Sequence, residues 1–501
     1  MDPKLLSAIG AAGAAGSDPI GVEDVFSTDV WTGTGAAGSI DTGVDMTGGG
    51  MVWIKPRASG YHNIIDTERG VTKVLYSNAT NAQDTDAAGF LASFDNNGYN
   101  LVNAASNSNY FIASGAKHVG WSFKKQKKFF TIKTYSGTGS TQTLTHDLGS
   151  IPGAIFVKRT DTAADWAVYH RGQNGGTDPE DYRMKLNSST SQNNDTYWGD
   201  TAPTASAFTV GDAHSEVNAS GGTYVAYLFG HEEAVFGPNS DQKIISCGVL
   251  PAGYFSGKQE LGFEPQFLLV KSMTSGQNWE MWDTVRGGLR ADTGSQNGLF
   301  ANLTLADTSG DGNKADSTGF YDVSQVGEHK LYIAIAAETG KTSKVPENGI
   351  DVFTMDTGNS SSSIPSMDSG FTVDMSLYKK PASNAHIWLT ARLIGEKEFK
   401  TNDNDAEGSV SDSQWDSNVG WGENHNSTYQ SWLWKRSAGF DCVCYNGQNS
   451  VQAVSHNLSV APEFIWVKRR DSAKNWAVYH KGLNGGTNPE QYSLILNNTG
   501  S

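Results

Sequence analysis

The sequence repeats itself, without gaps, at a distance of 310 residues. Residues 130–191 align with residues 440–501, and 30 of the 62 positions are identical. A match of this length without insertions indicates duplicated domains, and such a repeat constrains a fold more strongly than any short motif does. We therefore expect a series of similar domains along the chain.

Weaker copies of the same pattern fill the rest of the chain. Residues 51–71 and 267–288 each contain an apolar segment that ends in Lys, then a turn, then the motif D-T-x-R-G. In the strong copies W-A-V-Y-H replaces that motif. The pattern predicts an N-terminal anchoring segment (1–19), repeat 1 (20–128), repeat 2 (129–235), repeat 3 (236–345), a divergent repeat 4 (346–437) and an incomplete repeat 5 (438–501).

The segments that the repeats share are typical of β-strands. They are short, rich in Val, Ile, Phe, Tyr and Trp, and bounded by Gly, Asn, Asp and Ser. Residues 223–229 alternate, which predicts Val225, Tyr227 and Phe229 on one face of a strand and the intervening side chains on the other. No stretch after residue 20 has a sustained period of 3.6 residues. We predict an all-β protein of tandem antiparallel β-sandwiches, jelly-roll or lectin-like, after a short N-terminal helix at 5–15.

Repeat 5 lacks the segments that close repeat 2. Repeat 2 continues through residues 208–211 to a closing strand at 217–229, whereas the aligned part of repeat 5 ends at Ser501. A sandwich without its closing strands exposes an unpaired edge. We therefore expect these 501 residues to be the N-terminal part of a longer chain.

Charge and cysteine content limit the classes of partner. The formal net charge is −16, and a protein that coats nucleic acid or an anionic membrane needs a cationic face. We therefore expect no nucleic-acid partner and no membrane insertion. Three cysteines, Cys247, Cys442 and Cys444, cannot form a disulfide framework, which suits assembly in a reducing cytoplasm.

One polar loop of repeat 3 is the best candidate for a metal site. Asp307, Asp311 and Asp316 place carboxylate oxygens around glycines, and Ca²⁺ prefers such ligands. The pattern departs from an EF-hand because Thr318 occupies the position of the bidentate Glu. The alternative interpretation is a solvated loop, because the other repeats have a variable polar loop here. We predict no other cofactor.

A glycine motif in repeat 1 matches the dinucleotide fingerprint G-x-G-x-x-G. It spans residues 33–38, but the glycine-rich segment that follows cannot form the helix that the fingerprint requires. Gly137 and Gly447 stand at the position of Gly33 in repeats 2 and 5. We interpret the motif as a hairpin turn that is used once per repeat.

The two strong copies share a corner of aromatic and histidine residues. Its members are Trp166, His170 and Tyr182 in repeat 2, and Trp476, His480 and Tyr492 in repeat 5. A histidine next to carboxylates suggests acid–base chemistry. However, repeat 5 has Asn475, Asn488 and Gln491 where repeat 2 has Asp165, Asp178 and Asp181. An acid–base pair does not survive such exchanges, so we interpret the six residues as a structural corner and predict no catalytic residues and no enzymatic activity.

Together these motifs resemble the tandem repeats of structural proteins from tailed phages of marine bacteria, such as cyanophages. The resemblance rests on V-W-I-K and D-T-x-R-G of repeat 1, V-N-A-S-G-G-T-Y-V-A-Y-L-F of repeat 2, N-W-A-V-Y-H of repeat 5, and the opening D-P-K-L-L-S-A-I-G-A-A-G-A-A-G. It implies a virion protein of the tail fibre or appendage type, and it supplies no catalytic residues.

We therefore expect a fibre-like virion appendage that serves host adsorption. Residues 1–19 would attach it to other virion proteins of the tail, neck or capsid, and its sandwiches would project outwards. We expect a homo-oligomer, a homotrimer in the first instance, with host surface glycan as a candidate ligand. The expected location is the virion, after assembly in the host cytoplasm. The alternatives are a capsid-decorating protein and a glycan depolymerase tailspike.

Overall fold

The chain folds into several antiparallel sheets, as its strand-forming segments predict. The computed structural model describes residues 18–102, 111–212, 214–250, 257–291, 295–322, 329–411 and 414–498. Within these ranges the protein is all-β, and no helix is longer than four residues. The helix that we predict at 5–15 lies outside the described residues. No helix in the described ranges is long and apolar enough to cross a membrane.

The strands are distributed evenly among the first four repeats. Repeat 1 contains β1 (Phe26–Thr32), β2 (Gly38–Asp41), β3 (Gly50–Pro56), β4 (Asn63–Asp66), β5 (Lys73–Tyr76), β6 (Asp84–Thr85), β7 (Leu91–Asp95), β8 (Gly98–Leu101) and β9 (Lys117–Lys124). Repeat 2 contains β10 (Phe130–Ser136), β11 (Gln142–Thr145), β12 (Ala154–Arg159), β13 (Ala167–His170), β14 (Tyr182–Arg183), β15 (Asn193–Asn194), β16 (Ala207–Val210) and β17 (Thr223–Phe229).

Repeat 3 contains β18 (Ile245–Leu250), β19 (Lys258–Glu260), β20 (Pro265–Ser272), β21 (Glu280–Asp283), β22 (Ser295–Phe300), β23 (Thr308–Asp311), β24 (Lys314–Asp316), β25 (Gly319–Tyr321) and β26 (Lys330–Ala336). Repeat 4 contains β27 (Phe353–Thr357), β28 (Met367–Asp368), β29 (Met375–Lys379), β30 (Trp388–Ala391), β31 (Lys397–Lys400), β32 (Gly408–Ser409), β33 (Gly420–Trp421) and β34 (Gln430–Trp434).

Repeat 5 contains β35 (Phe464–Val467), β36 (Ala477–His480) and β37 (Leu494–Ile495). The short 3₁₀ helices of the described ranges are Val22–Asp24, Gln173–Gly176, Pro179–Asp181, Thr196–Trp198, Gly349–Asp351, Arg392–Ile394, Leu483–Gly486 and Pro489–Gln491.

The first four repeats share one sheet plan. In repeats 1, 3 and 4 the large sheets have the orders β1-β9-β3-β4-β5-β6, β18-β26-β20-β21-β22-β23 and β27-β34-β29-β30-β31-β32. Repeat 2 has the shorter version β10-β17-β12-β13. In each case the last long strand of the repeat inserts between the first strand and the strand of the apolar, Lys-ending segment. A smaller sheet accompanies each large one: β2-β8-β7, β11-β16, β19-β25-β24 or β28-β33.

The closing strand β17 has the alternation that the sequence predicts, and both of its faces are buried. Tyr224, Ala226 and Leu228 pack into the core of repeat 2 itself. Val225, Tyr227 and Phe229 pack into a different core, to which repeats 1 and 3 also contribute. The strand therefore joins its own repeat on one face to its neighbours on the other.

Repeats 1, 2 and 3 share this central core. It contains Trp53 and Trp121 from repeat 1, Phe156 from repeat 2, and Phe267 and Ile333 from repeat 3, all of them at most 3 % exposed. The large sheets of the three repeats therefore face one another rather than solvent. We call residues 20–345, which hold these three repeats, the three-repeat unit.

Repeats 4 and 5 pack together through a separate core. Phe399 of repeat 4 lies 5.6 Å from Trp476 of repeat 5, measured between ring centroids, and Met375 belongs to the same cluster. Residues 440–446 of repeat 5 form no strand, whereas the aligned residues of repeat 2 are β10. The reason is that β10 pairs with β17, and the residues of repeat 5 that the structure describes include no strand that could pair in the same way.

Candidate functional site at the joints between repeats

A tryptophan joins each of three repeats to the repeat before it. It stands immediately before β13, β21 or β36, and its indole N–H donates to a backbone carbonyl of the preceding repeat. The three bonds run from Trp166 Nε1 to the oxygen of Tyr76 (2.9 Å), from Trp279 Nε1 to that of Lys185 (2.9 Å), and from Trp476 Nε1 to that of Lys400 (3.0 Å). All three side chains are buried. The same joint therefore places repeat 2 on repeat 1, repeat 3 on repeat 2, and repeat 5 on repeat 4.

Repeat 1 has a histidine, His62, at the tryptophan position, and this histidine contacts repeat 3. His62 is fully buried, and it lies beside the backbone of Phe300 in repeat 3, the counterpart of Tyr76. Next to it, Ser77 Oγ donates to the oxygen of Ala301 at 2.7 Å. Repeat 1 thus sits on repeat 3 as repeat 2 sits on repeat 1, so the joints of the three-repeat unit are cyclic.

A second cyclic set of contacts involves the last residue of β4, β13 and β21. These residues, Asp66, His170 and Asp283, each contact the closing strand of the next repeat in the ring. Tyr227 Oη donates to Asp66 Oδ2 (2.7 Å), His170 Nε2 bonds to the oxygen of Tyr332 (3.1 Å), and Trp121 Nε1 donates to Asp283 Oδ2 (3.2 Å). The last residue of W-A-V-Y-H therefore occupies the position of the first residue of D-T-x-R-G. The prediction that one motif replaces the other is wrong, because the two overlap at this position alone, and repeat 3 has both Trp279 and the D-T-x-R-G that begins at Asp283.

The two forms of this joint differ in charge. In repeat 1 the guanidinium of Arg69 donates to Asp66 Oδ2 at 2.6 Å, and repeat 3 has the same buried pair between Arg286 and Asp283 at 2.7 Å. A buried carboxylate is tolerated because it is paired and hydrogen-bonded in this way. The spacing of Asp and Arg that repeats 1 and 3 share in the motif is the spacing that this ion pair needs.

Repeat 2 has a neutral version of the joint. The backbone N–H of His170 donates to Gln173 Oε1 at 2.7 Å. In repeats 1 and 3 the bond runs the other way, because the backbone N–H of the arginine donates to the aspartate Oδ1. Burial lowers the pKa of His170 to about 4, so the ring is neutral near pH 7. His170 Nδ1 accepts from the Gly172 N–H at 3.0 Å, which leaves the proton on Nε2 as the donor to Tyr332.

The predicted corner therefore divides into three parts. Trp166, His170 and Trp476 lie in joints between repeats. His480 keeps the local bond from the Gly482 N–H to its Nδ1 (3.0 Å), but its side chain is exposed. Tyr182 contributes its backbone oxygen, which accepts from Trp198 Nε1, and Tyr492 is half exposed.

The candidate calcium ligands take part in ion pairs. Asp307 pairs with Arg57 of repeat 1 and, at 3.1 Å, with Arg286 of its own repeat. Asp316 pairs with Lys258 at 3.0 Å, and nothing is described of the Asp311 side chain. Within the described ranges no three His, Cys, Asp or Glu residues are grouped as metal ligands. The prediction of a loop is wrong for much of this segment, because Asp311 ends β23 and Asp316 ends β24, which belong to different sheets. Calcium binding by these residues stays a prediction, while Asp307 belongs to the joint between repeats 1 and 3.

The glycine motif of repeat 1 forms a tight turn. The Gly33 N–H donates to the oxygen of Ala116 and the Gly137 N–H to that of Gly222, both at 2.8 Å. A Cβ on Gly33 would lie 2.2 Å from the oxygen of Ala113, so only glycine fits there. The motif leads from β1 into β2, not into a helix. The prediction of a hairpin turn is wrong, because β1 pairs with β9 and β2 pairs with β8 in a different sheet.

Repeat 4 is attached to repeats 1 and 3 by polar contacts. Asn418 pairs with the free edge of β1 through two bonds of 2.8 Å, one from the Val30 N–H and one to the oxygen of Thr28. Arg436 makes two bonds of 2.6 Å to the buried carboxylate of Glu264 in repeat 3. No motif indicates these pairs, because their partners are far apart along the chain.

A polar cavity of about 240 Å³ lies where repeats 1, 3 and 4 meet. Asp29, Gln266, Arg392 and Arg436 are among the residues that line it. Burial raises the pKa of Asp29 to about 7, and Glu338 and Asp41 act in the same direction, whereas a hydrogen bond with Ser27 opposes them. Its Oδ2 has no hydrogen-bond partner among the residues that the structure describes. The cavity thus places a titratable group at the interface between the three-repeat unit and repeat 4.

Comparison with known protein families identifies a family for this chain. A family model described as Domain of unknown function (DUF7483) matches residues 22–339 and 394–501, which is well over half of the chain. The first matched segment spans repeats 1 to 3, and the second covers the later part of repeat 4 and repeat 5. No curated protein matches the sequence.

Proposed function

The chain belongs to the DUF7483 family, and we propose that it is a structural protein of a phage virion, a fibre-like appendage that serves host adsorption. In this proposal residues 1–19 attach the chain to other virion proteins, and the two-layer domains are β-sandwiches of the jelly-roll or lectin-like kind. Assembly takes place in the host cytoplasm.

The observation that supports this proposal is the cyclic set of joints. Asp66, His170 and Asp283, the repeated polar groups that could do chemistry, are all buried and hold one repeat on the next. The residues that the repeats have in common thus serve cohesion between domains. Positions that are shared by the repeats and hold them together suit a scaffold that must keep its shape without disulfides.

The proposed homotrimer would form through surfaces outside the central core. In many assemblies an apolar sheet face is covered by a second subunit. Here the faces of repeats 1 to 3 already cover one another, with Phe26 and Phe267 at a centroid distance of 5.6 Å. Contacts with host surface glycan would use the polar loops, where many weak contacts gain from multivalency.

A capsid-decorating protein is the second candidate. The observation in its favour is that several large apolar side chains of repeats 4 and 5 are exposed, among them Ile350, Met355 and Phe464. Such patches mark surfaces that contact other proteins.

The location and copy number in purified particles of the phage that encodes this chain test both proposals. Quantitative mass spectrometry, with immunogold labelling against repeat 3, should give a few copies at the tail or neck for an appendage. Labelling over the whole head would favour decoration instead. Absence from the particles would overturn the virion proposal itself, and light scattering of the recombinant chain would decide the homotrimer.

A further inference from the structure

Repeats 4 and 5 are arranged like repeats 1 and 2. The bond from Trp476 Nε1 to the oxygen of Lys400 reproduces the bond from Trp166 Nε1 to the oxygen of Tyr76, at 3.0 Å and 2.9 Å. The strand pairs Trp388–Lys400 and Asn63–Tyr76 are equivalent. The 310 residues between the strong copies therefore lead from repeat 2, past repeats 3 and 4, to repeat 5, and repeats 4 and 5 are the first two members of a second unit.

This pair exposes the surfaces that repeat 3 covers in the first unit. Register pairs and the 310-residue alignment identify the counterparts: Phe353 for Phe26, Phe464 for Ala154, Leu494 for Met184, and Leu496 for Leu186. The first members are 37 %, 50 %, 43 % and 38 % exposed, whereas every counterpart is fully buried. We call these four residues, together with His480 and Trp432, the open face.

Repeat 3 shows what a suitable occupant has to supply. It places Phe267 on Phe26, and Trp279 both against Phe156 and on the oxygen of Lys185. Its closing strand offers the oxygen of Tyr332 to His170, the counterpart of the exposed His480.

The part of the open face that belongs to repeat 4 contains an indole N–H for which the occupant should supply a hydrogen-bond acceptor. In repeat 1, Trp121 is fully buried and donates to Asp283 of repeat 3. Its counterpart in repeat 4 is Trp432, which is only half-buried. An occupant with an aspartate at the position of Asp283 would complete this bond.

We propose that the open face binds one further domain of the same repeat, built like repeat 3, and that this sixth domain closes a second ring. Its tryptophan donates to the oxygen of Ile495, the counterpart of Lys185. Its closing strand covers His480, and its aspartate accepts from Trp432. This inference concerns the packing of the chain and holds whether or not the protein is a virion component.

The alignment allows the occupant to be supplied from the chain's own sequence. Because Ser501 aligns with Ser191, a second copy of residues 192–345 added after Ser501 first completes repeat 5 as in repeat 2 and then provides a copy of repeat 3. Adding residues 192–235 alone is the matched control, because it completes repeat 5 without providing the sixth domain.

Hydrogen exchange of residues 477–496 and binding of an apolar dye report coverage of the open face. Relative to the control, the longer extension should slow exchange there by about tenfold or more and remove most of the dye binding. Equal exchange in the two extended chains would overturn the proposal. So would a longer extension that stays unfolded while the control folds, because the open face should stabilise a domain that fits it.

Two substitutions separate docking from general effects on folding. Leu494→Lys should leave the stability of the 501-residue chain unchanged, because Leu494 is exposed there, but it should abolish protection in the longer extension. Trp279→Ala, made only in the added copy, should weaken protection at Ile495 through loss of the joint. Full protection in both variants would show that the sixth domain does not use the open face.

Discussion

Asp66, His170 and Asp283 stand at equivalent positions, each as the last residue of its strand. This position has either an aspartate that is paired with an arginine or a neutral histidine. In repeats 1 and 3 the aspartate needs its arginine, because a buried carboxylate without a counter-ion is strongly unfavourable. In repeat 2 a histidine whose pKa is lowered by burial needs only neutral partners. Single changes at this position should therefore be much more costly than paired ones.

Removal of the arginine partner in repeat 1 should be strongly destabilising. Arg69→Met leaves Asp66 buried without its cation and should cost about 3–5 kcal/mol of unfolding free energy, measured by urea denaturation. The double variant Asp66→Leu with Arg69→Met removes both charges and should be markedly more stable than the single variant, despite the lost bond from Tyr227. A double variant no better than the single one would show that the pair is not held together by charge compensation.

Ionisation of Asp29 should couple stability to pH. Its pKa is raised to about 7 in the folded protein, so the folded state holds a proton that the unfolded chain has already released. The stability contributed by the protonated carboxyl is complete below about pH 4 and is lost as the pH rises towards about 7. Glu23, whose pKa burial also raises to about 7, acts in the same direction.

Asp29→Asn should remove this part of the pH dependence. Between about pH 4 and about pH 7, wild type should lose about 2–4 kcal/mol relative to the variant, measured as the difference in unfolding free energy. Comparing wild type with the variant removes the contribution of His170, which is common to both proteins. Because the pKa of His170 is lowered by burial, that contribution destabilises the folded protein as the pH falls, which is opposite to the effect of Asp29. A constant difference across this range would mean that Asp29 is ionised in the folded protein throughout.

At the scale of the strand, the sequence predicted the elements but not the partner of each face. Short β-rich segments and the alternation at 223–229 were sufficient to predict the all-β class and both faces of β17. However, the outer face of β17, which consists of Val225, Tyr227 and Phe229, is as apolar as its inner face. The alternation of residues does not indicate which neighbouring repeat covers that outer face. Strands whose two faces are both apolar were the available signal that a second sheet lies on the outer side.

The same limit applies to the joints. The sequence predicted Trp166 and His170 as members of a structural corner, because both recur with fixed spacing. Their partners are the backbone oxygens of Tyr76 and Tyr332, and any residue type can supply a backbone oxygen. The cyclic closure by His62 was hidden for a similar reason, because a histidine replaces the tryptophan there.

The two cores on either side of the large sheet of repeat 2 should respond differently to truncation of one of their side chains. Phe156→Ala and Phe208→Ala each remove a buried ring and should cost about 3–5 kcal/mol. Phe156 belongs to the central core, so its loss should also speed hydrogen exchange in repeats 1 and 3. Phe208 belongs to the core of repeat 2 alone, so its effect should stay mainly within that repeat. The shared core would be contradicted if both variants changed exchange only in repeat 2.

At the scale of the whole molecule, repeats 1 to 3 should behave as one body. The linker between repeats 2 and 3 passes through an exposed turn at Ser240, where a protease site can be inserted. After cleavage, the two fragments should elute together on native size exclusion and separate only in denaturant, because the central core and the cyclic joints hold them. Fragments that separate without denaturant would show that the repeats are linked mainly by the chain itself.

The start of repeat 1 and the end of repeat 3 lie side by side in the ring. The Val22 N–H donates to the oxygen of Thr342 at 2.8 Å, and the Lys344 N–H donates to Glu23 at 2.7 Å. The joints between the three repeats do not depend on which repeat comes first in the chain. A circular permutant that starts at repeat 2 should therefore retain all of them. For the same reason, tandem duplication of a gene segment that encodes one whole ring keeps every joint intact. A chain of this kind can therefore lengthen by three repeats at a time rather than by one.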